Sequence, residues 1–219
     1  MIFVFFLCLF FLNSCGSSDS LKLPMDKIKK TLIDAPVCSV VLDDMKQQGT
    51  FSKTYFHKYL IVKPNDSYKT DWLKVPEKYF KKNKEFLGMA LLTKKDGEFD
   101  TKVSPPGYSF VGNSEYGQWR KDAQGSSFWE FYGKYALFTS LFGGWFHPIG
   151  MNNYTGYRSN RTRNMPYLGS NNEYGSSGKI VKNKRPKFYS RRMAGKSSFS
   201  SKIGRTKTGF RSRTGGFGK

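Results

Sequence analysis

The chain has 219 residues and 37 Lys+Arg against 16 Asp+Glu, a net charge of +21, with three cysteines and two histidines. Three cysteines exclude a disulfide-dense scaffold, and His57 and His147, far apart in sequence, leave no histidine cluster for a metal centre. Such a charge favours polyanionic partners.

The N-terminus opens on an apolar run from Ile2 to Leu12, followed by Asn13-Ser14-Cys15-Gly16. Eleven residues form a helix of about 16 Å, too short for a hydrocarbon core of about 30 Å but right for a signal-peptide core. The small residue before Cys15 resembles the lipobox of a bacterial lipoprotein signal peptide. No Lys or Arg precedes the run, which departs from that pattern. The resemblance implies a signal peptide over 1–14, cleavage before Cys15 and acylation of Cys15. In a host with two membranes it implies an outer-membrane lipoprotein anchored on the periplasmic face. In a host without an outer membrane the place becomes the outer face of the cytoplasmic membrane. Cys8 then leaves with the signal peptide and Cys38 is the one thiol left, so no internal disulfide is expected. In the apolar setting Pro36-Val37-Cys38-Ser39-Val40-Val41, Cys38 reads as a small core residue.

Residues 15–34 read as a tether with a short helical piece around Met25–Ile33. Residues 35–150 read as a folded α+β unit of a few strands and two to three helices. Val37–Leu42 is a Val-rich strand, and Asp43-Asp44 reads as a solvated turn after it. Phe51–Lys63 is a second strand, hairpin-paired to the first and closed by Pro64-Asn65-Asp66. Pro76 suits the first helical position of a helix over Glu77–Leu92, weakened by Gly88. Lys94-Lys95-Asp96-Gly97 and Pro105-Pro106-Gly107 are turns, and Glu98 and Asp100 read as a solvated charge cluster.

Tyr108–Trp119 is an aromatic and glycine loop that either packs over its own core or offers Tyr108, Tyr116 and Trp119 as a surface for a sugar ring. Ser127-Phe128-Trp129-Glu130 fits a capping box and predicts a helix to Phe142, stopped by Gly143-Gly144. Its apolar residues surround the whole circumference, so it belongs in a core or against a membrane or membrane partner.

From Cys15 to Gly150 there are 20 Lys+Arg and 15 acids, whereas from Met151 to Lys219 there are 17 Lys+Arg and one acid, Glu173, a net of +16. This segment lacks apolar periodicity and is predicted to be a disordered basic Gly/Ser/Arg-rich tail. Its cations Arg158, Arg161, Arg163, Lys184, Arg185, Arg191, Arg192, Arg211 and Arg213 are the candidate contacts for anionic lipid, lipopolysaccharide or cell-wall polymer. An exported chain has little access to nucleic acid, which is not expected as a partner.

The order of lipobox, Ser127-Phe128-Trp129 segment and terminal Gly215-Gly216-Phe217-Gly218 resembles uncharacterised bacterial lipoproteins, the YgiB-type group being the nearest. The likeness covers roughly 126–219 and implies no activity. No phosphate loop, nucleophile elbow or carboxylate dyad is present in the sequence, and no cofactor or metal is expected. The expectation is a non-enzymatic, membrane-anchored envelope lipoprotein whose basic tail binds anionic polymers or a protein partner. Two alternatives stay open: a membrane-complex subunit held by the 127–142 helix, and a carbohydrate-binding module or enzyme using the 108–119 loop.

Overall fold

The computed structural model describes the backbone of residues 23–205 and the side chains through Lys196. The fold is α+β. The expected signal peptide, the lipobox-like segment and Cys15 lie outside the described residues.

The centre is an antiparallel sheet ordered β3 (Asp66–Lys69), β2 (Thr54–Lys63), β1 (Cys38–Gln48), β5 (Ala90–Lys95), β6 (Glu98–Asp100), with β4 (Leu73–Val75) also pairing β2. The expected β1–β2 hairpin is present, in a register that sets Val41 against Leu60 and Gln48 against Thr54. Along β2 the alternation of Tyr55, His57 and Tyr59 gives one buried face, against which α2 (Glu77–Asn83) packs through Tyr79 and Phe80. From Leu60 to Val62 both faces are buried, because Gly143 and its neighbours cover the other side.

Two expectations about β1 change. The strand runs on to Gln48, and Asp43 is not a solvated turn residue but a buried one beside an irregularity between Leu42 and Asp44. The helix starting near Pro76 ends at Asn83, and Ala90–Leu92 belong to β5. Gly88 is the reason: it takes φ +77°, in the left-handed region, and a Cβ there would run into the Trp145 ring. Helical φ at this position would break both the turn and that contact.

The described part of the stretch expected as tether, from Leu23 onward, belongs to the fold, and the short helical piece expected around Met25–Ile33 is present. Helix α1 (Pro24–Thr31) seats Met25, Ile28 and, just beyond it, Leu32 in the core.

The expected helix over 127–142 does not form. Ser127–Phe131 is strand β8, hairpin-paired with β7 (Gly117–Lys121) so that Trp119 faces Trp129. Asp122 closes the turn, its carboxylate accepting from the amides of Gln124 and Ser126. On its other edge the Trp129 amide donates to the Ile149 carbonyl. With both edges engaged, Ser127 and Glu130 cannot act as a capping box. The aromatics beyond, Tyr135, Phe138 and Phe142, fill the core from a 3-10 turn at Gly133–Tyr135 and a short helix α3 (Phe138–Leu141).

The folded unit also extends well past Gly150. Helix α4 (Met151–Thr162) buries Tyr157, the following loop buries Tyr167 and Tyr174, and α5 (Lys179–Lys184) buries Val181. Helix α6 (Pro186–Arg205) follows, with Phe188 and Tyr189 against the core. Low mean hydropathy hides this because the buried side chains are widely spaced tyrosines. Their rings supply apolar area while their hydroxyls find partners, such as Ser109 for Tyr157 and Ser170 for Tyr167.

Candidate functional site

The sequence-predicted aromatic surface is not a surface. Tyr108 and Tyr116 are fully buried. Tyr108 packs among Tyr157, Tyr167 and Tyr174, and the Tyr116 hydroxyl donates to Asp96. Trp119 is half-buried against Trp129 and Tyr154. The loop covers its own core, as the first of its two readings had it.

The predicted basic residues divide into structural and surface groups. Arg161 pairs with Asp100 and bonds the Tyr157 hydroxyl, so Asp100 is not merely solvated, whereas Glu98 is exposed. Arg163 bonds within its own helix end, and Arg158 stands exposed on α4. The Lys184 ammonium donates to the Gly143 carbonyl and lies over the Trp145 ring. Arg185 reaches the Asp43 carboxylate at 3.1 Å. Arg192 bridges Glu85, the Lys84 carbonyl and the Ser177 hydroxyl. Arg211 and Arg213 lie outside the described residues.

Asp43 forms a polar node that sequence reasoning missed. It is 1% exposed, accepts from the Trp145 indole at 2.8 Å, and faces Lys69 at 3.0 Å and Arg185. Burial by itself would raise its pKa. The Trp145 and Lys69 hydrogen bonds and the charges of Lys69 and Arg185 outweigh burial and hold it below the ordinary carboxylate value. Every group around it is a fixed structural partner, so the node reads as a clasp between β1 and α5.

His57 is buried under α2, with Nδ1 3.0 Å from the Tyr59 hydroxyl and Nε2 without a partner among the described residues. Burial pulls its pKa down to about 4. Cys38 is buried as expected, and burial pushes its thiol up to about 11, which leaves it inert as a nucleophile at neutral pH. Among the described residues no group of His, Cys, Asp and Glu could hold a metal ion, and no helix is long and apolar enough to cross a membrane.

The feature with the form of a binding site is an open cleft of about 1190 Å³ between the end of β1, the end of α2 and the first half of α6. Met45, Phe80 and Phe188 are its apolar lining, and Lys46, Lys84, Arg191, Arg192 and Lys196 stand around it against one carboxylate, Glu85. Three of the cations are engaged. The Lys46 ammonium lies over the Trp72 ring, Arg192 pairs with Glu85, and Lys196 donates to the Ser177 hydroxyl. Lys84 and Arg191 are exposed and carry no side-chain bond or ion pair among the described residues. Arg191 also borders a second hollow with Pro186, Lys187 and Ser190. The sequence named Arg191 and Arg192. Nothing in it linked them to Lys84 or to β1, because those contacts close over about a hundred residues of chain.

The chain matches no protein-family model, no curated protein and no solved structure.

Proposed function

We propose that the chain is a non-enzymatic, lipid-anchored envelope protein whose folded domain binds an anionic ligand through the cleft between β1, α2 and α6. The single observation that carries the reading is the charge of that cleft, five cations against one carboxylate. The C-terminal basic segment packs onto the domain through α4, α5 and the start of α6, and ion pairs hold Arg161, Arg185 and Arg192 in place. Electrostatic attraction of this kind is long-ranged at low salt and screened at high salt. The anchor is proposed from the lipobox at Leu12–Cys15, and the resemblance to YgiB-type lipoproteins adds an envelope location and no activity. The sugar-binding and membrane-helix alternatives lose their support, since Tyr108 and Tyr116 are buried and 127–142 is a strand, a turn and a short helix.

Metabolic labelling with a palmitate analogue tests the anchor: the wild type takes the label and Cys15→Ala does not. Binding of inorganic polyphosphate tests the cleft. The double variant Lys84→Ala/Arg191→Ala binds several-fold more weakly at low salt, and the difference shrinks as salt rises. An unlabelled wild type sinks the anchor, and unchanged binding in the double variant sinks the cleft.

A further inference from the structure

Strand β1 loses its neighbour halfway along. β2 accompanies it to Gln48, but β5 pairs only with Cys38–Val41. Beyond Leu42 the edge away from β2 has no strand beside it among the described residues. Arg185 closes the start of this gap by reaching Asp43 and Asp44. The rest opens into the cleft. Met45, Lys46 and Gln47 all line it, and consecutive strand residues point to opposite faces. A hollow touching all three therefore borders the edge of the strand and not one of its faces. The Met45 amide donates to the Asp44 carboxylate at 2.8 Å, which marks that amide as facing away from β2. With a period of two, the next amide on the same edge belongs to Gln47.

We propose that this edge takes an extended acidic peptide segment of a partner protein, which adds a short strand beside Met45–Gln48 and lies in the groove between β1 and α6. The inference rests on the anion-binding reading above and names the ligand class of that same site. An exposed edge offers main-chain pairing, and pockets beside it choose alternate side chains. Here the side chains meet Met45, Phe80 and Phe188 on the apolar side, and Lys84, Arg191 and Lys196 around the mouth. Charge excludes the chain's own C-terminus as occupant: residues 206–219 carry four Lys+Arg and no acid.

The test uses the full lipidated chain in non-ionic detergent. The probe is a labelled seven-residue peptide alternating Glu and Val, with two counterparts N-methylated at the Val or at the Glu amides. The parent binds at low salt, and one N-methylated counterpart binds at least tenfold more weakly while the other keeps its affinity, because only alternate amides face β1. Gln47→Pro weakens the parent by a similar factor, since the lost amide faces away from β2. Equal binding of all three peptides overturns strand addition and leaves the anion-binding reading standing. Binding of a short-chain anionic phospholipid without binding of the peptide overturns it in favour of a lipid ligand. Failure of both peptide and polyphosphate removes the two readings together. The N-methylated pair needs only the wild-type protein, so a folding defect in Gln47→Pro cannot mask the result.

Discussion

The Trp145 indole donates to the Asp43 carboxylate at 2.8 Å, joining residues 102 apart in the chain. The same carboxylate receives Arg185 from the end of α5 and Lys69 from β3, so one buried charge ties the central strand to three other segments. Asp43→Ala leaves these donors unpaired and is expected to cost about 3 kcal/mol of unfolding free energy, with Trp145→Phe costing about 1–2 kcal/mol. Urea unfolding with an unchanged slope checks both, and a cost below about 1 kcal/mol for Asp43→Ala contradicts the clasp.

Acid should remove stability in two windows. His57 is held neutral, its pKa near 4 against an ordinary 6.5. The unfolded chain therefore takes up a proton first, and stability falls as pH drops from about 6.5 to about 4, by roughly 3 kcal/mol. Asp43 has a depressed pKa, so its contribution is present above the ordinary value of 3.8 and is lost as pH falls below it. Unfolding free energies measured across this range should lose the upper slope in His57→Leu and keep the lower loss. A slope that persists in His57→Leu assigns it to other groups.

Gly88 and Gly97 both have positive φ, +77° and +78°, but only Gly88 has the Trp145 ring against it. Gly97→Ala is expected to cost about 1 kcal/mol from conformation alone, and Gly88→Ala at least about 2 kcal/mol because the ring must also move. Thermal melts of the two variants rank them, and equal shifts would refute the steric component.

Truncation separates the two halves of the basic segment. Ending the chain at Arg205 should leave a cooperative unfolding transition. Ending it at Gly150 strips Tyr157, Tyr167 and Tyr174 from around Tyr108 and takes Arg185 from Asp43, and should abolish near-ultraviolet circular dichroism. A soluble, cooperatively folding 1–150 fragment would show that the C-terminal segment is dispensable.

The β1–β2 hairpin was legible because its pattern is local: Tyr55, His57 and Tyr59 alternate, and Pro64-Asn65-Asp66 ends the run. The 127–142 segment misled because Ser127 and Glu130 have capping-box spacing while Phe128 to Phe142 are so aromatic that no period stands out. The Asp122 turn, which decides for a hairpin, was the overlooked signal. Residues 151–196 misled for the opposite reason, since single tyrosines spaced over many polar residues carry no period at all. The cleft was illegible because β1 and α6 meet only in the finished fold.

The pairing of Asp43 with Arg185 closes across 142 residues. A chain emerging N-terminus first exposes Asp43 early and receives Arg185 only when most of the polypeptide has followed. Until then the middle of β1 holds a carboxylate that cannot be buried cheaply, and the contacts that would bury it are among the most non-local in the molecule. Completion of the domain is thereby deferred to the end of chain delivery.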